Sequence, residues 1–532
     1  MLLALSACDS FLEENPKGEL TEQQAYGSEE LLMRNAVLSI YNYIGGSVNS
    51  CGLQGTDRGV YDLNSMTTDE QIVPTRGGDW YDGGLWQRLY LHTWTAGEGP
   101  LKDTWDYLFR VVILCNEGLE RIDASTLDIN KEKMKAELRS VRAMYYFYLM
   151  DLYGRVPMLT ATGGKSSELR LSERREVFLW TVSELQQSLP LLADEPSQHT
   201  ESQYYGRMTA PVARFLLAKL MLNAEVYYDN DWTDGQTTSG SDIVFNVDGQ
   251  TAMNAWQAAE YYCAQLEGAY TLSDDFTTNF APGNETSPEN IFTIPMNPSA
   301  YANVYNYFFR SRHYSHGAYL GGASENGPCA TLQTIRAFGY GTDSPDPRLC
   351  HTFYYDEVQE NGQTVFEDDG VTPLVYHPLD VTAIDLTGTL HEKTAGARLH
   401  KYPNDPTSRA DGRMQNNDIV LFRYADVLLM RAETLLRQTK PQEAVVYFNQ
   451  VRQRSGASAL ATITLDDILR ERLLELCWEG WRRNDLIRFG TFCQPYDLKQ
   501  TTGFEQDHHT IVFPIPADLM TMHPDWQQNK GY

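Results

Sequence analysis

The segment 136–160, AELRSVRAMYYFYLMDLYGRVPMLT, constrains the fold of this chain more than any other stretch. Its apolar residues recur at steps of three and four, which places them on one face of an α-helix. From Val141 onward the other faces are apolar as well, so this helix is predicted to be buried on every side. Gly154 is its predicted end, and the Val156-Pro157 pair favours an extended exit. A central helix that needs neighbours on every side predicts a layered helical protein.

Charge and aromatic content narrow the class of partner. With 43 Lys and Arg against 71 Asp and Glu, the chain carries a formal net charge of -28. This charge disfavours nucleic acid as a partner and disfavours electrostatic adhesion to an anionic membrane surface. The chain also contains 32 Tyr and 10 Trp, which combine a flat apolar face with a hydrogen-bonding tip and are common on recognition surfaces. The tyrosines of segment 136–160 are nevertheless predicted to be core.

The N-terminus predicts a lipid anchor. The run MLLALSACDS ends in Leu5-Ser6-Ala7-Cys8, which resembles the lipobox of bacterial lipoproteins, where the Cys is lipidated. A complete signal has a basic region and a longer apolar region, so residues 1–8 are interpreted as a truncated lipoprotein signal. The alternative is an N-terminus with an incidental Cys. Residues 9–28 are predicted to be an acidic tether, and no run of about twenty apolar residues could span a bilayer.

Motifs for metals and cofactors are missing from the sequence. It contains no C-x-x-C pair and no H-E-x-x-H segment, and the seven Cys other than Cys8 cannot all pair with one another. Residues 229–235 depart from the spacing of a calcium loop, and a solvated turn is favoured there over a bound cation. The sequence therefore predicts no metal site and no cofactor.

An aromatic loop region is predicted at 51–99, where helical periodicity is weak. It contains GGDWYDGG at 77–84, followed by Trp86. Glycines on both sides of the Asp-Trp-Tyr-Asp core predict a loop that projects flat rings. Trp94 is assigned to the core instead, and Asp69 is expected to brace the loop.

A second irregular stretch, at 270–401, is predicted to be a long insertion. It holds short strand-like runs at 291–294 and 351–355 and a concentration of aromatic residues around 301–314. Loops of this length in a compact chain are usually functional.

Helix pairs are predicted on both sides of this insertion. At 417–456 a helix, a three-residue turn and a second helix match one tetratricopeptide-type unit. The stretches 101–153 and 210–267 are predicted to be looser pairs of the same kind, which would stack into a scaffold. Residues 465–489 are predicted to form the last long helix.

Several long motifs carry a family resemblance. They are RAMYYFYLMDLYGRVPMLT, FRYADVLLMRAETLLR, FNQVRQRSG, ERLLELCWEGWRRNDLIRFG and the ending PIPADLM…HPDWQQNKGY. In this order, and over nearly the whole mature chain, they resemble the SusD/RagB family of outer-membrane lipoproteins.

This resemblance implies an all-α fold with tetratricopeptide-like helix pairs and an irregular insertion, forming a single SusD-like domain over 29–532. It also implies a lipid-anchored protein on the outside of the outer membrane. Such a protein would bind an oligosaccharide or polysaccharide beside a SusC-like TonB-dependent transporter, its expected partner.

The two aromatic stretches supply the predicted ligand residues. Sugar rings stack their C–H faces on Trp or Tyr, and flanking polar groups bind their hydroxyls. The predicted glycan-binding residues are Asp79, Trp80, Tyr81, Trp86, Tyr301, Tyr305 and Tyr307.

One acidic cluster offers an alternative, a surface glycoside hydrolase. Glu471, Glu475 and Glu479 step by four along the predicted last helix, between arginines. Hydrolysis needs two carboxylates facing each other across a cleft, whereas neighbours on one helix face point the same way. An ion-pair network between packed helices is therefore favoured, and no catalytic constellation is predicted. A purely structural interaction scaffold is the third alternative.

Overall fold

The computed structural model describes residues 21–45, 51–54, 56–163, 168–198, 202–297, 309–407 and 415–532. The predicted lipidation site Cys8 lies outside these residues, as do Tyr301, Tyr305 and Tyr307 of the predicted ligand surface. The described part already contains a short helix at Glu22–Tyr26, which a capping box stabilises at its start. Helical structure therefore begins inside the stretch predicted to be a tether.

Helices dominate the described residues, as the sequence predicts. In chain order the helices are α1 (Glu22–Tyr26), α2 (Glu29–Leu32), α3 (Val60–Ser65), α4 (Leu85–Leu91), α5 (Gly99–Ala124), α6 (Lys131–Tyr153), α7 (Arg174–Ser188), α8 (Ala210–Leu222), α9 (Ala224–Tyr227), α10 (Ala255–Ala264), α11 (Tyr314–Tyr319), α12 (Leu332–Ala337), α13 (Leu349–Thr352), α14 (Tyr424–Arg437), α15 (Pro441–Arg454), α16 (Leu465–Leu476), α17 (Arg482–Arg488) and α18 (Ala517–Met522). After α2 the chain continues as a π-helix at Met33–Val37 and a 3-10 helix at Leu38–Tyr43.

Strands are short, and within the described ranges they form two-stranded antiparallel pairs. The pairs are β1 (Gln71–Ile72) with β7 (Cys329–Ala330), β2 (Val156–Pro157) with β3 (Leu171–Ser172), β4 (Val244–Asn246) with β5 (Ala252–Asn254), β6 (Asn290–Ile294) with β14 (Ile419–Arg423), β8 (Phe353–Tyr354) with β13 (Arg398–Leu399), β9 (Asp356–Glu357) with β12 (Val375–Tyr376), and β10 (Gln359–Glu360) with β11 (Gln363–Thr364). The strand-like runs predicted in the insertion coincide with β6 and β8.

Helix α6 occupies the centre of the helical body, and its tyrosines are core residues. Tyr145 is 0% exposed, and its hydroxyl lies 2.8 Å from that of Tyr107 on α5. Tyr153 donates a hydrogen bond of 2.5 Å to the carbonyl oxygen of Leu101. At Gly154, where φ is +69°, a side chain would meet the ring of Trp232 at 2.8 Å. The positive φ and this close approach explain why the helix ends at a glycine.

The predicted helix pairs are present, but the start of the pair predicted at 417–456 is wrong, because Ile419–Arg423 form strand β14 in its pairing with β6 and the helix begins at Tyr424. Helix α5 packs against α6, α8 against α10, and α14 against α15. Between α14 and α15 the turn contains Thr439 with a φ of 60°, and Ala432, Phe448 and Val451 lie buried where the two helices meet. The all-α scaffold of tetratricopeptide-like pairs is thus confirmed.

The prediction of one long helix at 465–489 is wrong. The chain forms two helices there, α16 and α17, with a break between them. Trp478 adopts a φ of 61°, and its backbone N–H and indole N–H donate to Glu70 at 3.1 and 3.2 Å. The ammonium group of Lys401 donates to the carbonyl oxygens of Glu475 and Cys477, which a continuous helix would have used. Contacts with distant parts of the chain therefore outweigh the local helical preference.

A small second core joins the aromatic loop region to the insertion. Its members come from both stretches and from the C-terminal part: Ile72, Tyr90, Cys329, Val381, Leu386, Ala395 and Tyr496. The pairing of β1 with β7 ties the same two regions together. Trp94 is 4% exposed in the main core, as predicted, and Trp105 is buried there to the same extent.

Two further features concern the described residues in general. Among the described residues, no helix combines the length and the hydropathy needed to cross a bilayer. The seven cysteines in that part of the chain are free thiols.

Candidate functional site

An open pocket of about 450 Å³ lies where the loop 79–82 meets the segment that follows α11. It is the place where the two predicted aromatic stretches come together in the described residues. The residues lining it are Asp57, Arg58, Asp79, Trp80, Asp82, Tyr314, Ser324 and Glu325.

Trp80 forms one wall of the pocket and is held in a fixed orientation. Its backbone has a φ of 62°, and its indole N–H donates to the carbonyl oxygen of Glu325 at 2.7 Å. Gly327 lies directly against its ring, where a Cβ would approach a ring carbon to 2.4 Å. The ring is partly exposed, so one part can contact a ligand while the rest is fixed by the insertion.

Trp86 does not belong to the ligand surface, which corrects its predicted role. Its side chain is 1% exposed, and its indole N–H donates to Asp82 at 2.6 Å. Its ring centroid lies 5.7 Å from that of Trp80, and the guanidinium of Arg58 lies 5.6 Å from its ring. Because Trp86 starts the buried face of α4, it supports Trp80 from behind instead of stacking on a sugar.

Asp79 lies at the rim of the pocket and joins both aromatic stretches. It accepts hydrogen bonds from Lys393 at 2.9 Å and from the hydroxyl of Tyr314 at 3.1 Å. The hydrogen bond from Lys393 holds the pKa of Asp79 below its usual value, so its carboxylate stays ionised at neutral pH. Burial raises the pKa of Tyr314, and Asp79 raises it further, so the phenol keeps its proton.

Three aromatic rings of this region are exposed to solvent. The exposed fraction is 53% for Tyr81, 47% for Tyr319 and 41% for Tyr314. Tyr81 extends from the predicted loop, while the other two begin and end the short helix α11. Flat rings beside ionised groups form a surface that can stack on an apolar face and bind hydroxyls at its edges.

Buried ion pairs anchor the loop beneath this surface. Arg310 donates to Asp57 at 2.8 Å and also pairs with Asp62, and all three side chains are nearly inaccessible. Asp69 accepts two hydrogen bonds from Arg482, at 2.6 and 2.7 Å, which agrees with the bracing role expected for it. Burial raises the pKa of Glu70 to about 8, and this residue accepts the N–H of Trp478.

The structure places Asp79, Trp80 and Tyr314 in the lining of one pocket, whereas Tyr81 and Tyr319 are exposed on the segments that border it. These five residues form the aromatic surface. The polar partners Arg58, Glu325 and Lys393 were missed by the sequence-based prediction, because single charged residues in irregular segments give no periodic signal. Tyr314 lies at the edge of the aromatic concentration around 301–314, which is the signal that could have identified it.

The acidic cluster of the alternative hypothesis is a buried ion-pair network. Glu471, Glu475 and Glu479 are 1, 0 and 4% exposed. Arg423 pairs with Glu475 at 2.6 Å and with Glu479 at 2.7 Å. Arg348, from the insertion, pairs with Glu471 at 2.8 Å and with Glu475 at the same distance. The favoured interpretation of this cluster is therefore confirmed, and it fastens the insertion to the helical body.

Larger depressions exist elsewhere on the described surface, but their aromatic rings are less exposed. One of about 640 Å³ is bordered by Met33, Lys133 and Arg207, and Tyr204 is its aromatic residue. Another, of about 480 Å³, contains Phe338 and Phe448, which are buried at 0 and 1% exposure. The pocket at Trp80 is smaller, but its border carries exposed aromatic rings.

Comparison with known families adds two regional similarities. Residues 340–532 match the model described as "SusD family", and residues 11–222 match the model described as "Starch-binding associating with outer membrane". Together the two matched regions include the aromatic loop and the last helix pairs.

Individual proteins are similar over nearly the whole length. The "Starch-binding protein SusD" of Bacteroides thetaiotaomicron is 23% identical, over 90% of this chain and 86% of that protein. A "SusD-like protein" of Bacteroides ovatus is 24% identical, over 91% of this chain and 80% of that protein. Among solved structures, surface glycan-binding protein A of Bacteroides thetaiotaomicron in complex with laminarihexaose aligns with a TM-score of 0.69 at 19% identity. That alignment covers 95% of this chain and 100% of that one.

Proposed function

The chain belongs to the SusD-like family, and on that premise we propose that it captures an oligosaccharide at the pocket around Trp80. The observation that carries the proposal is the pocket itself, where the exposed Tyr314 and the partly exposed Trp80 lie beside the ionised Asp79. Tyr81 and Tyr319 add exposed rings on the two segments that border it. Starch and laminarihexaose, named for the similar proteins, indicate the chemical class of ligand.

The pocket suits a glycan for physical reasons. The C–H face of a sugar ring can stack on an exposed tyrosine or on the free part of Trp80. Asp79 and Lys393 can exchange part of their mutual hydrogen bonding for bonds to sugar hydroxyls, since their side chains are 47 and 39% exposed. An open pocket also leaves room for a chain that continues in both directions.

We infer that the protein binds without cleaving its ligand. A glycosidase needs a protonated carboxyl group that can reach the leaving oxygen. The pKa of Asp79 is held low by Lys393, which makes it a poor proton donor. Burial raises the pKa of Asp57, but its oxygens accept hydrogen bonds from Arg310 and Arg58 at 2.8 and 2.6 Å. Neither group is positioned as a general acid.

Delivery to a transporter completes the proposed function. A lipid anchor on Cys8 would hold the protein on the outer face of the outer membrane, with the chain itself outside the bilayer. The helix pairs would contact a SusC-like TonB-dependent transporter, and the aromatic surface would face outward. The match of residues 11–222 to a model described as associating with the outer membrane supports this location. We propose neither nucleic acid nor a cofactor as a further partner.

Affinity electrophoresis of the wild-type protein tests the proposal. Gels containing starch, laminarin or other neutral polysaccharides should retard its migration relative to a non-binding reference protein, for at least one glycan. A reducing-sugar assay on the retained glycan should detect no release over the same period. Retardation on none of the glycans would contradict the binding proposal, and release of reducing ends would favour the hydrolase.

A further inference from the structure

A cluster of two histidines and one aspartate lies outside the pocket. His377, Asp380 and His391 offer ligand atoms that all lie within 4.8 Å of one another, and it is the one group of this kind found among the described residues. The imidazole rings of His377 and His391 are stacked, with centroids 3.5 Å apart and planes 7° from parallel. Nδ1 of His391 is hydrogen-bonded to Asp380, and Nδ1 of His377 lies 4.0 Å from the same carboxylate.

The ligand types indicate which ions would fit. Two imidazole nitrogens and one carboxylate oxygen suit Zn²⁺ and similar transition-metal ions, whereas Ca²⁺ and Mg²⁺ favour oxygen ligands alone. Around tetrahedral zinc, with bonds of about 2.0–2.1 Å, ligand atoms lie roughly 3.3 Å apart. The three side chains are 30 to 44% exposed, so small rotations can bring their ligand atoms together and leave a fourth position to water.

The position of the cluster in the fold gives such an ion a structural effect. The amide of His377 donates to the carbonyl oxygen of Thr394, and its own carbonyl oxygen accepts from the amide of Gly396, so His377 lies opposite Ala395 in a parallel bridge. The amide of Ala395 donates to the carbonyl oxygen of His391. The two ends of segment 377–396 therefore lie next to each other, and the cluster connects them. Between these ends the backbone pairs with Thr75 through Ile384 and Leu386.

The same segment supports the aromatic loop. Lys393 donates to the carbonyl oxygen of Arg76 at 2.6 Å, in addition to its bond to Asp79. Arg76 donates in turn to the carbonyl oxygens of Glu392 and Ala395, at 3.0 and 2.9 Å. An ion that fixed the base of segment 377–396 would therefore limit the motion of the loop that carries Trp80.

We propose that His377, Asp380 and His391 form a binding site for a zinc-class divalent cation, which holds the segment 377–396 against the aromatic loop. Sequence-based reasoning did not identify this site, because the three residues match no common metal motif in their spacing. The proposal does not depend on the identity of the glycan.

Isothermal titration of Zn²⁺ into the untagged, chelator-treated full chain tests the site. We expect one ion per chain, with binding roughly ten- to hundredfold weaker in His377→Ala and in His391→Ala. His351→Ala is the matched control, because this exposed histidine lies outside the cluster and should leave Zn²⁺ binding unchanged. Ca²⁺ and Mg²⁺ should give no comparable signal.

Hydrogen exchange gives a second readout that needs no substitution. Zn²⁺ should slow amide exchange in residues 377–396 and in the paired backbone at Thr75. The melting temperature of each metal-free variant checks that it is folded, and His391→Gln replaces any variant that is not. Wild-type affinity in both alanine variants, no binding by the wild-type chain, or protection confined to other segments would each overturn the proposal.

Discussion

The helical body and the aromatic surface use charged residues in opposite ways. In the body, Arg423, Glu475 and Glu479 form ion pairs with side chains at most 2% exposed. At the aromatic surface, Asp79 and Lys393 form a pair of the same chemical kind with side chains 47 and 39% exposed. Removing one partner of a buried pair leaves an uncompensated charge in the interior, which is strongly destabilising. Such pairs therefore hold the insertion firmly against the helical body. Exposed pairs cost little to open, so their groups remain available to a ligand.

The two regions also differ in how their aromatic rings are held. Tyr145 is enclosed by α5 and α6 and bonds to another tyrosine of the core. Tyr81 extends into solvent from a loop, and Tyr319 does so from the end of the short helix α11. The difference explains how one composition, rich in tyrosine, serves both packing and recognition.

The largest effect should come from breaking the buried network. Arg423→Met removes the partner of Glu289, Glu475 and Glu479 and should lower the free energy of unfolding by about 3–5 kcal/mol. Urea denaturation followed by circular dichroism measures the change. The control is Arg34→Met, which removes an exposed pair with Glu30 and should cost about 1 kcal/mol or less. Equal losses in the two variants would contradict the contrast between buried and exposed pairs.

Acid should weaken the insertion beneath the aromatic surface. Burial lowers the pKa of His316 to about 4, whereas the pKa of an exposed histidine is 6.5. The unfolded chain therefore binds a proton that the folded chain excludes, so stability is complete above pH 6.5 and falls as the pH drops toward 4. For this residue, the full decrease in the free energy of unfolding is roughly 3 kcal/mol.

His316→Gln removes this titration and should flatten the pH dependence. The measurement is the free energy of unfolding at pH 7 and at pH 4.5 in both proteins. His351→Gln, at an exposed position, serves as the control and should keep the wild-type dependence. If His316→Gln loses as much stability on acidification as the wild-type chain, the assignment is wrong.

A smaller effect on stability, with a large effect on the pocket, is expected at Gly327. The Cβ of Gly327→Ala would overlap the ring of Trp80, so the indole must move, at a cost of about 1–3 kcal/mol. Retardation of the protein on glycan gels should decrease. Its tryptophan fluorescence should change as well, because the indole of Trp80 moves. Gly99→Ala is the comparison, because its Cβ would meet nothing within 4 Å. An unchanged affinity in Gly327→Ala would show that the position of Trp80 is not important for binding.

The helical body could be predicted largely from the sequence, because its information is local. The spacing of apolar residues identified α6, and Gly154 identified its end. The same kinds of signal identified the pair α14–α15. The break at Trp478 could not be predicted, since Glu70 and Lys401, which stabilise it, come from distant parts of the chain.

The candidate site could be predicted only in part. Glycines around the Asp-Trp-Tyr-Asp core identified the exposed Tyr81 and the partly exposed Trp80, but the same pattern included the buried Trp86. Whether a ring in an irregular loop is exposed depends on what packs behind it, and here that is Arg58 and Asp82. The partner residues of the insertion give no periodic signal and required the tertiary structure.

Glycan affinity of the double variant Trp80→Ala/Tyr81→Ala tests the central claim, that the aromatic surface binds the ligand. Affinity electrophoresis on the glycan that retards the wild-type chain supplies the measurement. Tyr43→Ala is the control, because this tyrosine is exposed and lies in the 3-10 helix Leu38–Tyr43, outside the pocket lining. At about 0.5–1.5 kcal/mol for each ring, we expect the double variant to bind roughly five- to 150-fold more weakly. Loss of the packed indole lowers the melting temperature of the double variant, so its circular dichroism spectrum at the assay temperature checks that it is folded. Tyr43→Ala should bind like the wild-type chain. Wild-type retardation of the double variant would contradict the account.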